Sequence, residues 1–203
     1  TTSGDRTVKL WQVATGSEVY TLNGHTDWVN RVVFTADGKH IICASDDMTV
    51  RVWDAASGTL LRTLSLPGEV CSVALSASGT LLAVGCCDGE VSLFHVTEGY
   101  TPLLTFTAHV GSWMQMCFPP VSCGVRLVTC SSIENEAKVW DLSHQQHRHM
   151  VALIGLLRGH THSIQDVRCS GDGAFIATAS GDPTVKVWDT LTGRELHTLE
   201  GHT

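Results

Sequence analysis

His144, His147 and His149 fall within one polar stretch, "HQQHRH", and three imidazoles brought close together could bind zinc or nickel. A metal site also needs a further ligand and outer partners that orient the rings, and this stretch supplies neither, so it reads as a solvated loop. Eight cysteines (Cys43, Cys71, Cys86, Cys87, Cys117, Cys123, Cys130 and Cys169) are the other ligand and nucleophile types present. No CxxC pair occurs among them, which removes the usual zinc and redox motifs. Most lie in apolar runs such as "IICAS" and "RLVTC", where a thiol acts as a small buried hydrophobe in a reducing compartment. There is no Gly-rich phosphate loop, no paired-carboxylate cleft and no nucleophile elbow. The expectation is a protein that is not an enzyme, with no catalytic residue, cofactor, metal or small-molecule substrate.

The elements that would carry such residues are bounded by composition. Hydrophobic residues make up 43% of 203, ample for a core. Charged residues are 16%, below the roughly 25% of an ordinary globular chain, so little of it reads as linker. Nineteen glycines against five prolines imply many tight turns. The net charge is −7, and Lys and Arg are scattered singly, which argues against nucleic acid as the partner. No apolar run approaches the roughly 18 residues of a membrane span.

An internal repeat organises the whole chain. The phrases "TVKLWQ", "TVRVWD", "EVSLFHV", "AKVWD" and "TVKVWD" place aromatics at Trp11, Trp53, Phe94, Trp140 and Trp188, which are 42, 41, 46 and 48 residues apart. A Gly lies five residues after the aromatic in four units, at Gly16, Gly58, Gly99 and Gly193. An Asp lies six before it in four, at Asp5, Asp47, Asp88 and Asp182. Gly-His or Ala-His recurs at His25, His109, His160 and His202. Between these signals lie β-prone runs of four to six residues, too short for helices. Four short strands per repeat make an antiparallel sheet. Such a sheet is apolar on both faces, with Val50 and Val52 on one and Trp53 on the other, and is buried by stacking copies radially.

On these motifs the chain resembles the WD-repeat family of β-propellers. The resemblance implies an all-β fold whose blades each have four antiparallel strands, a to d. It predicts a half blade at 1–22 (strands c and d), a blade at 23–64, a degenerate blade at 65–106, a blade with a long c–d insert at 107–157, a blade at 158–200, and the start of another repeat at 201–203. The expected whole is an open arc of a ring of seven or more blades, aggregation-prone on its own because sheet edges and a blade face are left bare.

The family links four side chains in each well-formed blade. Carried over by position, these are His25, Ser45, Asp47 and Trp53, then His160, Ser180, Asp182 and Trp188. Asp, His and Ser also make up a hydrolase triad, but a set that repeats and ends on a Trp donor reads as structural. In the degenerate blade the same positions fall on Leu66, Cys86 and Phe94, which leaves Asp88 without partners. The following blade has Glu134 or Asn135 where Asp is expected. Both are expected to be less rigid.

The resemblance also implies a docking face on the d–a and b–c loops and the start of strand a. By position its residues are Trp28, Asn30, Asp46, Glu69, Cys71, Cys87, Ser112, Met114, Ser163 and Gln165. Trp28 stands out: left exposed it would be an interaction hot spot, and the alternative is that it packs against the neighbouring loop. Trp113, one position out of step, reads as core. The function implied is a non-catalytic scaffold or adaptor in signalling. It would bind proteins or peptides in multi-protein complexes in the cytoplasm or nucleus, with no nucleic acid or membrane. The alternatives are the ligand-sensing, autoinhibitory propeller of a larger signalling NTPase and a metal-dependent enzyme built on the His-rich insert.

Overall fold

The computed structural model describes residues 1–111, 113–120, 124–143 and 151–201. Among them, strands form five antiparallel sheets. The first holds β1 (Val8–Trp11) and β2 (Glu18–Leu22), and the second holds β3 (Val29–Phe34), β4 (His40–Ser45), β5 (Thr49–Asp54) and β6 (Leu60–Ser65). The third holds β7 (Val70–Leu75), β8 (Leu81–Cys86), β9 (Glu90–His95) and β10 (Thr101–Thr107). The fourth holds β11 (Met114–Cys117), β12 (Arg126–Ser131), β13 (Glu136–Asp141) and β14 (Ala152–Arg158). The fifth holds β15 (Ile164–Cys169), β16 (Phe175–Ser180), β17 (Val185–Asp189) and β18 (Glu195–Leu199). In every four-stranded sheet the strands lie side by side in chain order, as in a propeller blade. Among the described residues no helix is long and apolar enough to cross a membrane.

The turn chemistry explains the short period. Gly16, Gly58, Gly99 and Gly193 each adopt φ near +70°, which reverses the chain between the third and fourth strands at no steric cost. On the other side of the third strand, an Asp carboxylate holds the next turn closed. Oδ1 of Asp47 accepts from the Thr49 N–H and hydroxyl, and Oδ1 of Asp182 accepts from the same two groups of Thr184.

The chain divides into two compact units, Thr1–Val73 and Ala74–Thr203. In the first unit, Val8 and Leu22 of the two-stranded sheet pack on Val29, Ile41, Cys43 and Trp53 of the second sheet. In the second unit, Val128, Cys130, Ala137, Val139 and Leu157 of the fourth sheet pack on Ile164, Val167, Ile176 and Trp188 of the fifth. Each core is thus a seam between neighbouring sheets. Each large apolar side chain buried there contributes roughly 1.5–3 kcal/mol. The outer strands β6 and β18 stay largely exposed.

Cysteine behaviour needs one correction. Cys43, Cys71, Cys86 and Cys130 are buried, and Cys87 is half-buried. Cys117 and Cys169, expected to be isolated thiols, are instead joined in a disulfide with Cα atoms 6.3 Å apart. They end β11 and β15, the first strands of two sheets that share a seam. A separation of 52 residues in sequence gives no hint of that proximity. Cys123 lies outside the described residues.

Candidate interaction surface and its hydrogen-bonded supports

Among the described residues, three blades carry a continuous chain of four side chains. In the fifth, His160 Nδ1 lies 2.8 Å from Asp182 Oδ2 and Nε2 lies 2.8 Å from Thr178 Oγ1, while the Trp188 indole N–H donates to the same Oγ1 at 2.9 Å. The second blade repeats this with His25, Asp47 and Trp53 around the Cys43 sulfur, at 2.8, 3.1 and 3.2 Å. Donors and acceptors alternate along each chain. The indole donates to the hydroxyl or thiol, that group donates to Nε2, and Nδ1–H donates to the carboxylate.

The third member therefore corrects the sequence reading, which placed Ser45 and Ser180 there. Trp53 stands opposite Ile41 and Trp188 opposite Ile176 in the sheet register. Cys43 and Thr178 are two residues beyond those partners, about 7 Å along the strand, within reach of an indole. Ser45 and Ser180 are four beyond, about 13 Å away. Their hydroxyls do other work. Each accepts from the N–H of the turn Asp and donates to the loop before the first strand, at the Asp27 and His162 carbonyls.

The fourth blade carries a complete chain as well, with Glu134 in the place of the Asp. His109 reaches Glu134 at 2.9 Å and Thr129 at 2.8 Å, and the Trp140 indole donates to Thr129 at 2.9 Å. The longer Glu side chain compensates for the extra residue in the turn, and Lys138 pairs with it at 2.9 Å. In the third blade the interior positions are Leu66, Val84 and Phe94, so Val84 rather than Cys86 takes the third place. All three are buried and apolar. Asp88 stays exposed and accepts from the Glu90 N–H. The polar chain is exchanged as a set, which leaves no orphaned member.

The electrostatics follow from burial. Desolvation pushes the His25 and His109 imidazoles below their ordinary 6.5, more than Asp47 and Glu134 can offset. Burial pushes the Asp182 carboxyl up, but hydrogen bonds from Thr184, the Thr161 N–H and His160 outweigh it and hold the group well below 3.8. Asp47 and Glu134 are likewise desolvated and likewise held low by their donors. An imidazole with a depressed native pKa contributes stability that is whole above pH 6.5 and lost as pH falls through the native value. A depressed carboxylate contributes stability that is whole above its ordinary pKa and lost as pH falls further. Urea midpoints measured from pH 8 to pH 3 should therefore fall in two stages, one beginning below 6.5 and one below 4.5. A flat profile between pH 7 and 5 would show that the histidines are not buried neutral.

These supports set the position of the first strands and the loops before them. Val29, Met114 and Ile164 pair with Ser45, Ser131 and Ser180, so they are equivalent. The residue before each has its carbonyl bonded in the same way: Trp28 by the Asp46 N–H, Trp113 by Ser132 and Ser163 by Gly181. Trp28 and Trp113 thus occupy one position in two blades. Both are exposed, at 61% and 39%. Trp113 is therefore not core, and Met114, assigned to the face, is fully buried. The slip arises because the loop after His109 is one residue longer than those after His25 and His160.

Of the remaining face residues, Glu69 and Gln165 are exposed, and Asn30, Asp46, Cys87 and Ser163 are half-buried. Cys71 is fully buried, its short thiol not reaching solvent from a position where Asn30 and Gln165 extend outward. Asn30 donates to Asp46 and to the Val70 carbonyl, which fixes its amide beside Trp28's strand. A side chain added at Gly4 would touch the Trp28 indole, so that ring is supported on one side and open on the other. Ser112, His144, His147 and His149 lie outside the described residues.

Four-stranded blades in chain order, supported by chains that run from an Asp or Glu through a His and a Thr or Cys to a Trp, define a repeat protein of the β-propeller class. The WD domain, G-beta repeat model matches residues 16–54, 58–95 and 152–189, and the chain belongs to that family. It is 43% identical to the nuclear distribution protein PAC1 of Coccidioides posadasii, over 92% of this chain and 33% of that protein. It is 27% identical to the nuclear distribution protein PAC1-2 of Uncinocarpus reesii, over 94% of this chain and 35% of that one. It is also 28% identical to periodic tryptophan protein 2 of Arabidopsis thaliana, over 99% and 22%. The chain thus spans between about a fifth and a third of these relatives.

Proposed function

We propose that the chain is a non-catalytic scaffold that binds other proteins, with the Trp28 edge of the second blade as a docking surface. The observation that carries this reading is an indole 61% exposed yet held on a fixed strand end, beside the bonded pair Asn30 and Asp46. A rigid aromatic with polar neighbours loses little entropy on binding and offers a large apolar area, the usual make-up of a hot spot. Trp113, Ser163 and Gln165 offer the same positions in the second unit. The WD-repeat relatives, named for nuclear distribution and for periodic tryptophans, agree with a scaffold in general terms. We place the protein in the cytoplasm or nucleus, in a multi-protein complex.

Trp28→Ala in the full-length protein should lower partner recovery at least tenfold, a loss of about 1.4 kcal/mol or more. The melting temperature should stay within about 2 °C, because little buried area is lost. Pull-down and thermal denaturation of the same preparation check both. Undiminished recovery would remove Trp28 from the interface.

A further inference from the structure

We propose that the cleft between β14 of the fourth blade and the β17–β18 turn of the fifth is a docking pocket for a tyrosine side chain presented by a partner protein. The chain contains its own template for such an occupant. In each blade, the fourth strand has one residue paired with the residue before the aromatic: Tyr20 with Leu10, Arg62 with Val52, Leu104 with Leu93, Gly155 with Val139 and His197 with Val187. Four of the five are large. Only Gly155 has no side chain.

The seam between the first and second blades shows what a large residue does there. The Tyr20 ring lies against Gly58 in the next blade's turn, and its hydroxyl donates to the Ala56 carbonyl. Counted from the aromatic, Gly193 stands where Gly58 stands, and Leu191 where Ala56 stands. With Gly155 in place of the tyrosine, an open cleft is left there, lined by Arg126, Ile154, Gly155, Thr190, Leu191 and Gly193 among others. Neither sterics nor backbone conformation asks for glycine at 155. Its φ is not positive, and an added Cβ would meet only Val139 at 3.6 Å, an ordinary contact. A glycine inside a strand weakens it, and it often marks the close approach of another group.

A second departure adjoins the first. Two residues after the aromatic, the other blades carry Val13, Ala55, Val96 and Leu142, all apolar. The fifth carries Thr190, which is 3% exposed and whose buried hydroxyl has no hydrogen-bond partner. The Arg126 guanidinium fixes this turn by donating to the Thr190 carbonyl at 3.0 Å. An orphaned hydroxyl beside an empty aromatic site fits a phenol better than a plain ring. The phenol oxygen can accept from Thr190 and donate to the Leu191 carbonyl, as Tyr20 donates to Ala56. The exposed Ile154 and Leu191 side chains give the mouth an apolar rim.

The test is a titration of the isotope-labelled full-length protein with N-acetyltyrosinamide, N-acetylphenylalaninamide and N-acetylalaninamide, followed by NMR. The tyrosine probe should shift the Gly155 and Thr190–Gly193 amides saturably and bind about tenfold tighter than the alanine probe. Gly155→Tyr should fill the cleft from within, abolish those shifts and raise the melting temperature by about 2–4 °C. Should that variant fail to fold, Thr190→Val keeps the question open to decision. It should erase the preference for tyrosine over phenylalanine while retaining binding of both. Absence of shifts at these amides, or shifts unchanged in Gly155→Tyr or a tyrosine preference unchanged in Thr190→Val, would overturn the proposal.

Discussion

Replacing His160 with alanine should cost the protein about 2–4 kcal/mol, the sum of a buried cavity and a broken polar chain. His160 is 4% exposed and joins Asp182 to Thr178. Without it, the fully buried Thr178 hydroxyl keeps the Trp188 indole as donor but has no acceptor for its own proton. Asp182 keeps its turn bonds to Thr184 and Thr161, so the loss concentrates on the strand side. The third blade supplies the control. There the interior positions are Leu66, Val84 and Phe94, and the sheet forms with all four strands. The triple variant His160→Leu, Thr178→Val, Trp188→Phe should thus be more stable than His160→Ala alone, although it changes three residues. Urea denaturation of both variants decides the matter. A loss under about 1 kcal/mol for His160→Ala would mean that the chain of hydrogen bonds carries little net stability.

Much of this was legible in the sequence, and its limits have physical causes. The aromatic spacing, the turn Asp and the turn Gly each fix a local backbone feature, so they located the sheets without knowledge of packing. The ends of the hydrogen-bond chain were readable for the same reason, since His25 and Asp47 are tied to turns. The middle member was not, because Cys43 and Ser45 share one face of β4 and only the register of Trp53 against Ile41 chooses between them. Trp113 was misread because a single added loop residue shifts every later side chain to the other face of its strand. The vacancy at Gly155 and the orphaned Thr190 hydroxyl appear only when one blade is laid against another in three dimensions.

Reducing the protein should lower its stability by up to about 4 kcal/mol, the chain-entropy limit for a loop of this size. The loop is closed by Cys117 and Cys169, 52 residues apart in sequence. The bond joins the last residues of two first strands, so it ties the fourth blade to the fifth rather than stiffening either one. Each blade has its own ladder, β11 with β12 and β15 with β16, and the bond is part of neither. The loss should accordingly appear in how the seam opens, with the sheets retained. Pro120 adds a local hold there, since Gly173 in the fifth blade's β15–β16 turn lies directly against its ring. In a reducing compartment the pair would be two thiols, and the seam would rely on the apolar cluster around Ile164, Val167 and Leu157. Urea denaturation with and without dithiothreitol, repeated on Cys117→Ser, separates these contributions. The reductant should shift the midpoint of the native protein and leave that of the variant unchanged, and equal shifts in both would place the sensitivity elsewhere.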